Sequence, residues 1–263
     1  MTVQQALASS GIDPREARLM LAAASGFSEA SVVAFQERVL PDEVLRLFKE
    51  MSERRVLGEP IAYILGSKEF YGLELAVNPA VLIPRPETEL LVDLALQRDF
   101  SRILDLGTGS GAIALAIKRN RPTARVVAVE ASAAALAVAK RNAVKHGLDV
   151  EFRHGRWFEG MGKDRFEVIV ANPPYVAAGD PHLAALRFEP DTALVSGIDG
   201  LDAIREIVRA SPGHLVTGGW ILLEHGQGQE DEVKDLLRDA GFGTLAVWPD
   251  LAGIARVSGG KLE

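Results

Sequence analysis

Cysteine is absent from the 263 residues, which removes disulfide frameworks, thiolate nucleophiles and Cys-ligated zinc from consideration and suits a reducing compartment. Long apolar runs are missing too: no stretch approaches the roughly 18 consecutive apolar residues of a membrane span. The opening MTVQQALASSGIDPREAR lacks a basic segment followed by an apolar one, so no signal peptide and no membrane association are expected, and the expected location is cytoplasmic. Basic residues are in deficit, 29 Lys and Arg against 36 Asp and Glu, for a net charge of −7. A protein that lives on a phosphate backbone carries the opposite balance, so a protein or small molecule is the expected substrate and no direct nucleic-acid partner is expected. His146, His154, His182, His214 and His225 show no metal-ligand spacing, and no metal is expected. Gly109-Ser110-Gly111 is too short for the G-x-S-x-G turn of a serine nucleophile. No internal repeat or low-complexity segment is present. What the chain does have is apolar content, 48% of its residues, enough for one large domain or two unequal ones.

The texture changes twice along the chain. Residues 1–58 read as a helical domain. Asp13-Pro14-Arg15-Glu16 has the form of an N-cap with proline at the first helical position and an acid that resembles a capping box. Pro41-Asp42-Glu43 opens a second helix, in which Val44, Leu45, Leu47, Phe48 and Met51 recur at helical spacing. Residues 59–81 read as a linking hairpin of short strand-like pieces, IAYIL, KEFYG and LELAV, broken by glycine and proline. From 82 to 263 strand and helix alternate: RILDL then AIALAIKRN, RVVAVE then SAAALAVAKRNAVKH, FEVIVAN, LDAIREIVRAS, GGWILLEH, QEDEVKDLLRDAG, and a closing pair of strands. That alternation predicts an α/β domain with a mostly parallel sheet and helices on both faces.

Two segments of this domain carry chemistry. The first is Asp105-Leu106-Gly107-Thr108-Gly109-Ser110-Gly111, where a strand gives way to a helix. Glycines there permit positive φ and let a ligand lie on the backbone, and the helix N-terminus offers N–H groups to an anion. Glu130 ends the next strand, where a carboxylate can accept from both hydroxyls of a ribose. The loop predicts a nucleotide-type ligand but does not choose one. Gly107, Gly109 and Ala112 also satisfy the dinucleotide fingerprint, so S-adenosylmethionine and NAD stay level at this point.

The second segment, Asn172-Pro173-Pro174-Tyr175, follows the apolar strand Phe166 to Val170. The prolines donate no backbone hydrogen bonds and hold the chain extended. The carbonyls of Asn172 and Pro173 and the Asn172 side-chain oxygen are left to face a ligand as acceptors. An amide nitrogen shares its lone pair with its carbonyl and is a poor nucleophile. An NH₂ group held by two acceptors can be pyramidalised, and the same acceptors stabilise positive charge growing on nitrogen. Tyr175 is expected to offer a flat face to a planar amide or base, and Trp157 to edge an adenine pocket or fill the core. This segment turns the reading toward methyl transfer to nitrogen from S-adenosylmethionine, because an NAD-linked oxidoreductase would leave it without a role.

The chain resembles the bacterial release-factor glutamine methyltransferases, the PrmC/HemK family. The likeness is carried by Gly58-Glu59-Pro60-Ile61-Ala62-Tyr63-Ile64-Leu65-Gly66, Leu82-Ile83-Pro84-Arg85-Pro86-Glu87-Thr88-Glu89, the glycine loop, and Asn172 to Tyr175. It continues through Phe188-Glu189-Pro190 with Ala193-Leu194, Gly197, Asp199-Gly200-Leu201, and Leu223-Glu224-His225-Gly226. The resemblance implies a class I (Rossmann-like) methyltransferase domain behind a helical domain that helps hold a class I peptide chain release factor, methylated on the glutamine of its GGQ motif. By that likeness Gly107, Thr108, Gly109, Ser110, Gly111, Glu130, Trp157 and Asn172 would bind S-adenosylmethionine, with S-adenosylhomocysteine as product. Asn172, Pro173, Pro174 and Tyr175 would grip the glutamine, with Asn172, Pro173 and Tyr175 as catalytic residues. Three positions depart from the family pattern: Glu130 stands for a usual Asp, Arg156 for an acid before the tryptophan, and Ile254 for a polar residue. These departures put cofactor affinity in question more than methyl transfer. The alternatives are a nucleic-acid amino-methyltransferase, which would share the Asn-Pro-Pro-Tyr chemistry, and a non-catalytic binding protein that lost its cofactor through Arg156.

Overall fold

The computed structural model describes residues 1–263 in two compact units, Met1–Ser67 and Lys68–Glu263. The first holds five helices, α1 (Val3–Ala8), α2 (Pro14–Ser25), α3 (Glu29–Ala34), α4 (Asp42–Val56) and α5 (Ile61–Leu65). Met20 and Leu21 of α2, Val32 of α3 and Phe48 of α4 meet in its core. Asp13 caps α2 through Oδ1, which accepts from the N–H groups of Arg15 (2.8 Å) and Glu16 (3.2 Å). The expected capping box does not form: the Glu16 carboxylate accepts instead from Arg55 of α4 at 2.7 Å, tying the two long helices together. IAYIL, expected as a strand, is helix α5. Pro60 sets the entry (φ −58°), Gly66 ends the helix in the left-handed region (φ 73°), and Ile64 joins the helical core. A short apolar run has no periodicity that separates strand from helix. Residues 59–81 therefore divide between the two units.

The boundary falls at the first residue of a real hairpin, β1 (Ser67–Phe70) and β2 (Leu73–Ala76), the rest of which opens the second unit. Its two-residue turn, Tyr71-Gly72, has positive φ at both positions (50° and 73°), which matches the right-handed twist of the strands it joins. Phe70, Leu73 and Leu75 are buried in the same core as the sheet that follows.

That sheet has seven strands in the order β5-β4-β3-β6-β7-β9-β8. The first five in space, β3 (Arg102–Leu106), β4 (Arg125–Glu130), β5 (Glu151–His154), β6 (Phe166–Ala171) and β7 (Leu215–Glu224), run parallel. β9 (Ala255–Leu262) returns antiparallel to β7, and β8 (Phe242–Pro249) pairs antiparallel with β9. Alternate residues serve opposite faces. Ile103, Val126, Ala128, Val168 and Val170 pack with helices α6 (Glu89–Leu96) and α7 (Ala112–Asn120). Leu104, Leu106, Val127, Val129, Ile169 and Ala171 pack with α9 (Asp202–Ala210) and α10 (Glu230–Asp239). α8 (Ala133–His146) covers the β4–β5 edge and ends at Gly147 in the left-handed conformation (φ 63°). The order of strands reverses at β3, which pairs with β4 on one side and β6 on the other. In an open α/β sheet the carboxyl ends at such a switch point diverge and leave a crevice, and the two segments singled out from the sequence follow β3 and β6.

Candidate active site

The crevice is a cleft of about 590 Å³ lined by the glycine loop, Glu130, Arg156, Trp157, Asn172, Pro173 and Pro174, with Thr88 and Glu206 also on its wall. The loop leaves β3 with φ of 72° at Gly107, 56° at Gly109 and 86° at Gly111, a region costly for any residue with a Cβ. Space is as limiting as conformation. A Cβ on Gly107 would stand 3.2 Å from the Trp157 ring, and one on Gly111, the N-cap of α7, 3.2 Å from Ala139 of α8.

Two carboxylates support the loop. Asp105 is buried and accepts from the Thr108 hydroxyl at 2.6 Å. Burial pushes its carboxyl up to about 7, against the stabilising hydrogen bond from Thr108. Glu130 accepts from the N–H of Gly109 through Oε2 and from that of Ser132 through Oε1, each at 2.8 Å. Each oxygen keeps a further lone pair for a ligand.

Trp157 closes this end of the cleft. It is one of two non-glycine residues with positive φ (50°), strain of the kind that collects where a side chain must be held in one place. Its Nε1–H donates to Glu206 Oε2 at 2.8 Å. Arg156 donates to the same oxygen from Nε (3.0 Å) and Nη2 (2.6 Å), with its guanidinium 5.4 Å above the Trp157 ring. The Arg156 hydrogen bond in turn holds the Glu206 carboxyl below its ordinary range. Arg156 is therefore engaged by an acid on α9, a helix about fifty residues further along the chain. Ile254 is part of the turn between β8 and β9, where its N–H donates to Asp250 Oδ1 at 3.0 Å. It is not among the cleft residues.

The other end is built from side chains. Asn172 donates from Nδ2 to the Thr88 hydroxyl at 3.1 Å, leaving Oδ1 as an open acceptor on a residue that lines the cleft. Pro173 and Pro174 line it too. Tyr175 does not: its hydroxyl points away, 3.4 Å from Glu224 Oε1, and its carbonyl accepts from Gln229 Nε2 at 3.1 Å. Burial and the neighbouring Glu224 both raise the Tyr175 phenol above its ordinary value. Behind these residues, the buried Glu189 carboxylate accepts from the Ile83 N–H at 3.0 Å and pairs with Arg85. The IPRPE and FEP segments are thereby fastened to each other across the chain.

Gly107, Thr108, Gly109, Ser110, Glu130, Trp157, Asn172 and both prolines thus share one cleft, with Tyr175 beside it and Gly111 behind it, packed against Leu115 and close to Ala139 of α8. Sequence reading missed the roles of Thr88, Glu189, Glu206 and Glu224 around it. Thr88, Glu189 and Glu224 lie inside segments that carried the family likeness, and that was the available signal; Glu206 had none. The cleft fits S-adenosylmethionine. It has left-handed glycines for a close backbone approach, acceptors at Glu130, and an aromatic wall at Trp157. No group of three or more acidic or histidine side chains is arranged to hold a metal ion, and no helix is long and apolar enough to cross a membrane.

Comparison with known proteins bears on the family and the fold. The methyltransferase small domain matches residues 86–188 and the PrmC N-terminal domain residues 2–66. The release factor glutamine methyltransferase of Neisseria gonorrhoeae is 44% identical, over 99% of this chain and 98% of that protein. That of Bordetella pertussis is 45% identical, over 97% of each, and that of Xylella fastidiosa 51%, over 81% of this chain and 80% of that protein. Among solved structures, a methyltransferase from Pyrococcus furiosus superposes with a TM-score of 0.57 at 18% identity, covering 81% of this chain and 98% of that one. A Thermus thermophilus 16S rRNA N2 G1207 methyltransferase, in complex with AdoMet and guanosine, gives 0.56 at 24% identity, covering 75% and 50%. Those two likenesses concern the fold, whereas the full-length sequence identities reach further: the chain belongs to the family of release factor glutamine methyltransferases.

Proposed function

We propose that this protein transfers a methyl group from S-adenosylmethionine to the side-chain amide nitrogen of the glutamine in the GGQ motif of class I peptide chain release factors, in the cytoplasm and with S-adenosylhomocysteine as product. The observation that carries the reading is Asn172: its amide nitrogen donates to Thr88, which leaves Oδ1 as an acceptor on a residue that lines the cleft with the glycine loop. An acceptor there suits an NH₂-bearing substrate. The bound cofactor supplies an electrophilic methyl group on a positively charged sulfur. Gly107 to Gly111, Glu130 and Trp157 hold and orient it, and Asn172 Oδ1 with the Pro173 carbonyl grips the two amide protons of the glutamine. That grip localises the nitrogen lone pair and lines it up with the methyl, so positioning contributes along with electrostatics. Its benefit grows as positive charge develops on nitrogen and so belongs to the transition state. No side chain has to remove a proton beforehand, because an N-methylated amide cation is strongly acidic. Tyr175 serves from behind the cleft, holding the end of the Asn-Pro-Pro-Tyr segment, rather than as a stacking face. The helical residues 1–58 recognise the release factor.

The test is incubation with labelled S-adenosylmethionine and, in parallel, a release factor, the same factor with its GGQ glutamine replaced, tRNA and DNA. Label is expected in the unaltered factor alone. Label in tRNA or DNA but not in the factor would replace this reading with that of a nucleic-acid amino-methyltransferase.

A further inference from the structure

Glu224 ends β7 and is 2% exposed. β6 and β7 pair in parallel with Ala171 opposite Leu223, which brings the next residues, Asn172 and Glu224, side by side at the carboxyl edge of the sheet. Oε1 of Glu224 is 3.4 Å from the Tyr175 hydroxyl, and Oε2 is buried without a hydrogen-bond partner. The Thr88 hydroxyl favours the charged form of the same carboxylate and accepts from Asn172 Nδ2 at 3.1 Å. A buried carboxylate without a full set of partners is costly, and nothing in methyl transfer as derived above uses it.

The chain Asn172–Thr88–Glu224 has a direction. A charged carboxylate can only accept, so it claims the Thr88 hydroxyl proton. The Thr88 oxygen then has only lone pairs to offer and takes a proton from the NH₂ side of the Asn172 amide. The Asn172 oxygen is thereby turned to the cleft. Without the carboxylate at the far end, the Thr88 hydroxyl could donate to the Asn172 oxygen, and the amide would turn its NH₂ group toward an incoming NH₂, donor against donor. We infer that Glu224 is a positioning residue for methyl transfer: acting through the Thr88 hydroxyl, it holds the Asn172 amide with its oxygen facing the substrate nitrogen. The inference rests on Asn172 being the group that grips the substrate.

The device responds to pH. Burial raises the Glu224 carboxyl to about 7, while the hydroxyls of Thr88 and Tyr175 and the charge of Arg256 on β9 favour the ionised form and Glu87, in the turn before α6, opposes it. Arg85 also acts on Tyr175. Above that value the carboxylate is charged and the chain is oriented; below it a neutral acid can donate, and the orientation is lost.

The experiment compares full-length Thr88→Val, Thr88→Ser, Glu224→Gln, Asn172→Ala and the Thr88→Val/Asn172→Ala double variant on a release factor, with S-adenosylhomocysteine affinity measured by calorimetry. Thr88→Val should lower kcat about tenfold, the scale of one hydrogen bond, with cofactor affinity changed less than about twofold and with recovery in Thr88→Ser. Adding Thr88→Val to Asn172→Ala should cost nothing more, because the two act on one interaction. Wild-type kcat should fall as pH drops through about 7, and Glu224→Gln should lack that limb. Independent costs in the double variant, or wild-type kcat in Thr88→Val beside a crippled Asn172→Ala, would overturn the positioning role and leave the Asn172 assignment standing. Near wild-type turnover in Asn172→Ala would instead sink the assignment itself. Should Thr88→Val fail to fold, as read by loss of its thermal unfolding transition, Thr88→Ala takes its place, and wild-type kcat in that variant beside a crippled Asn172→Ala overturns the inference.

Discussion

The two ends of the cleft are made by different means. After β3 the ligand surface is backbone: three glycines with φ between 56° and 86°, and carboxylates that accept from the loop's own N–H groups and the Thr108 hydroxyl. After β6 it is side chain, an asparagine oriented by a threonine and backed by buried acids, with prolines to keep the strand from pairing further. A backbone surface tolerates changes of side chain around it but not an added Cβ. A side-chain surface tolerates shifts of backbone less than the loss of one polar atom. The first suits an invariant small ligand, the second a reaction in which charge must be met as it forms.

The difference can be put to direct trial. The largest effect is expected at Asn172: Asn172→Ala should lower turnover about 10²-fold or more, the scale of one preorganised polar contact, while calorimetry shows cofactor affinity little changed. A comparable loss of affinity would mean the two ends are not separable. Asn172→Asp keeps an acceptor at the same reach and should retain some activity where alanine shows none. Next in size is removal of Met1–Ser67, one of the two compact units. The remaining chain should still bind S-adenosylhomocysteine but lose most methylation of an intact release factor; undiminished activity would take substrate recognition away from the helical unit. Gly107→Ala sharpens the other side. A left-handed φ of 72° and a ring atom 3.2 Å from the new Cβ should weaken cofactor binding about tenfold, a strain of one to two kcal/mol, with kcat at saturating cofactor much less affected. Arg156→Ala should be the mildest. Its guanidinium is half exposed and bound to Glu206, so affinity should change by less than about tenfold, and complete loss of binding would show that the pair anchors Trp157 more firmly than an exposed ion pair can.

What could be read from the sequence follows the same division. Glycine and proline declare backbone geometry by their identity, so Gly107 to Gly111 and Asn172 to Pro174 were visible, as were the β–α alternation and the closing strand pair. Glu224 stood in a segment of the family likeness, but its role was not legible, because an acid at the end of a strand looks like any polar terminus until β7 is laid beside β6. Thr88 and Asn172 are 84 positions apart, and Trp157 and Glu206 are 49 apart; contacts of that range leave no local pattern. Tyr175 was expected to offer a flat face to a planar amide or base; its hydroxyl stands 3.4 Å from Glu224, a neighbour that only the pairing of β6 with β7 reveals. IAYIL failed as a strand for a smaller reason: five residues are too few to display a period, and the flanking Pro60 and Gly66 fit the start and end of a helix as well as the edges of a strand.

The Glu189 clasp gives the intact protein a built-in reporter. The Ile83 N–H that it receives is buried and lies 106 positions away along the chain, so that proton can meet solvent only when the segments before α6 and after Asn172 to Tyr175 part company. Its hydrogen-exchange rate therefore measures how often this wall of the cleft opens with no substrate present. A rate well below that of free peptide would mean that an arriving glutamine finds an ordered groove, and that little of its binding energy is spent on assembling one.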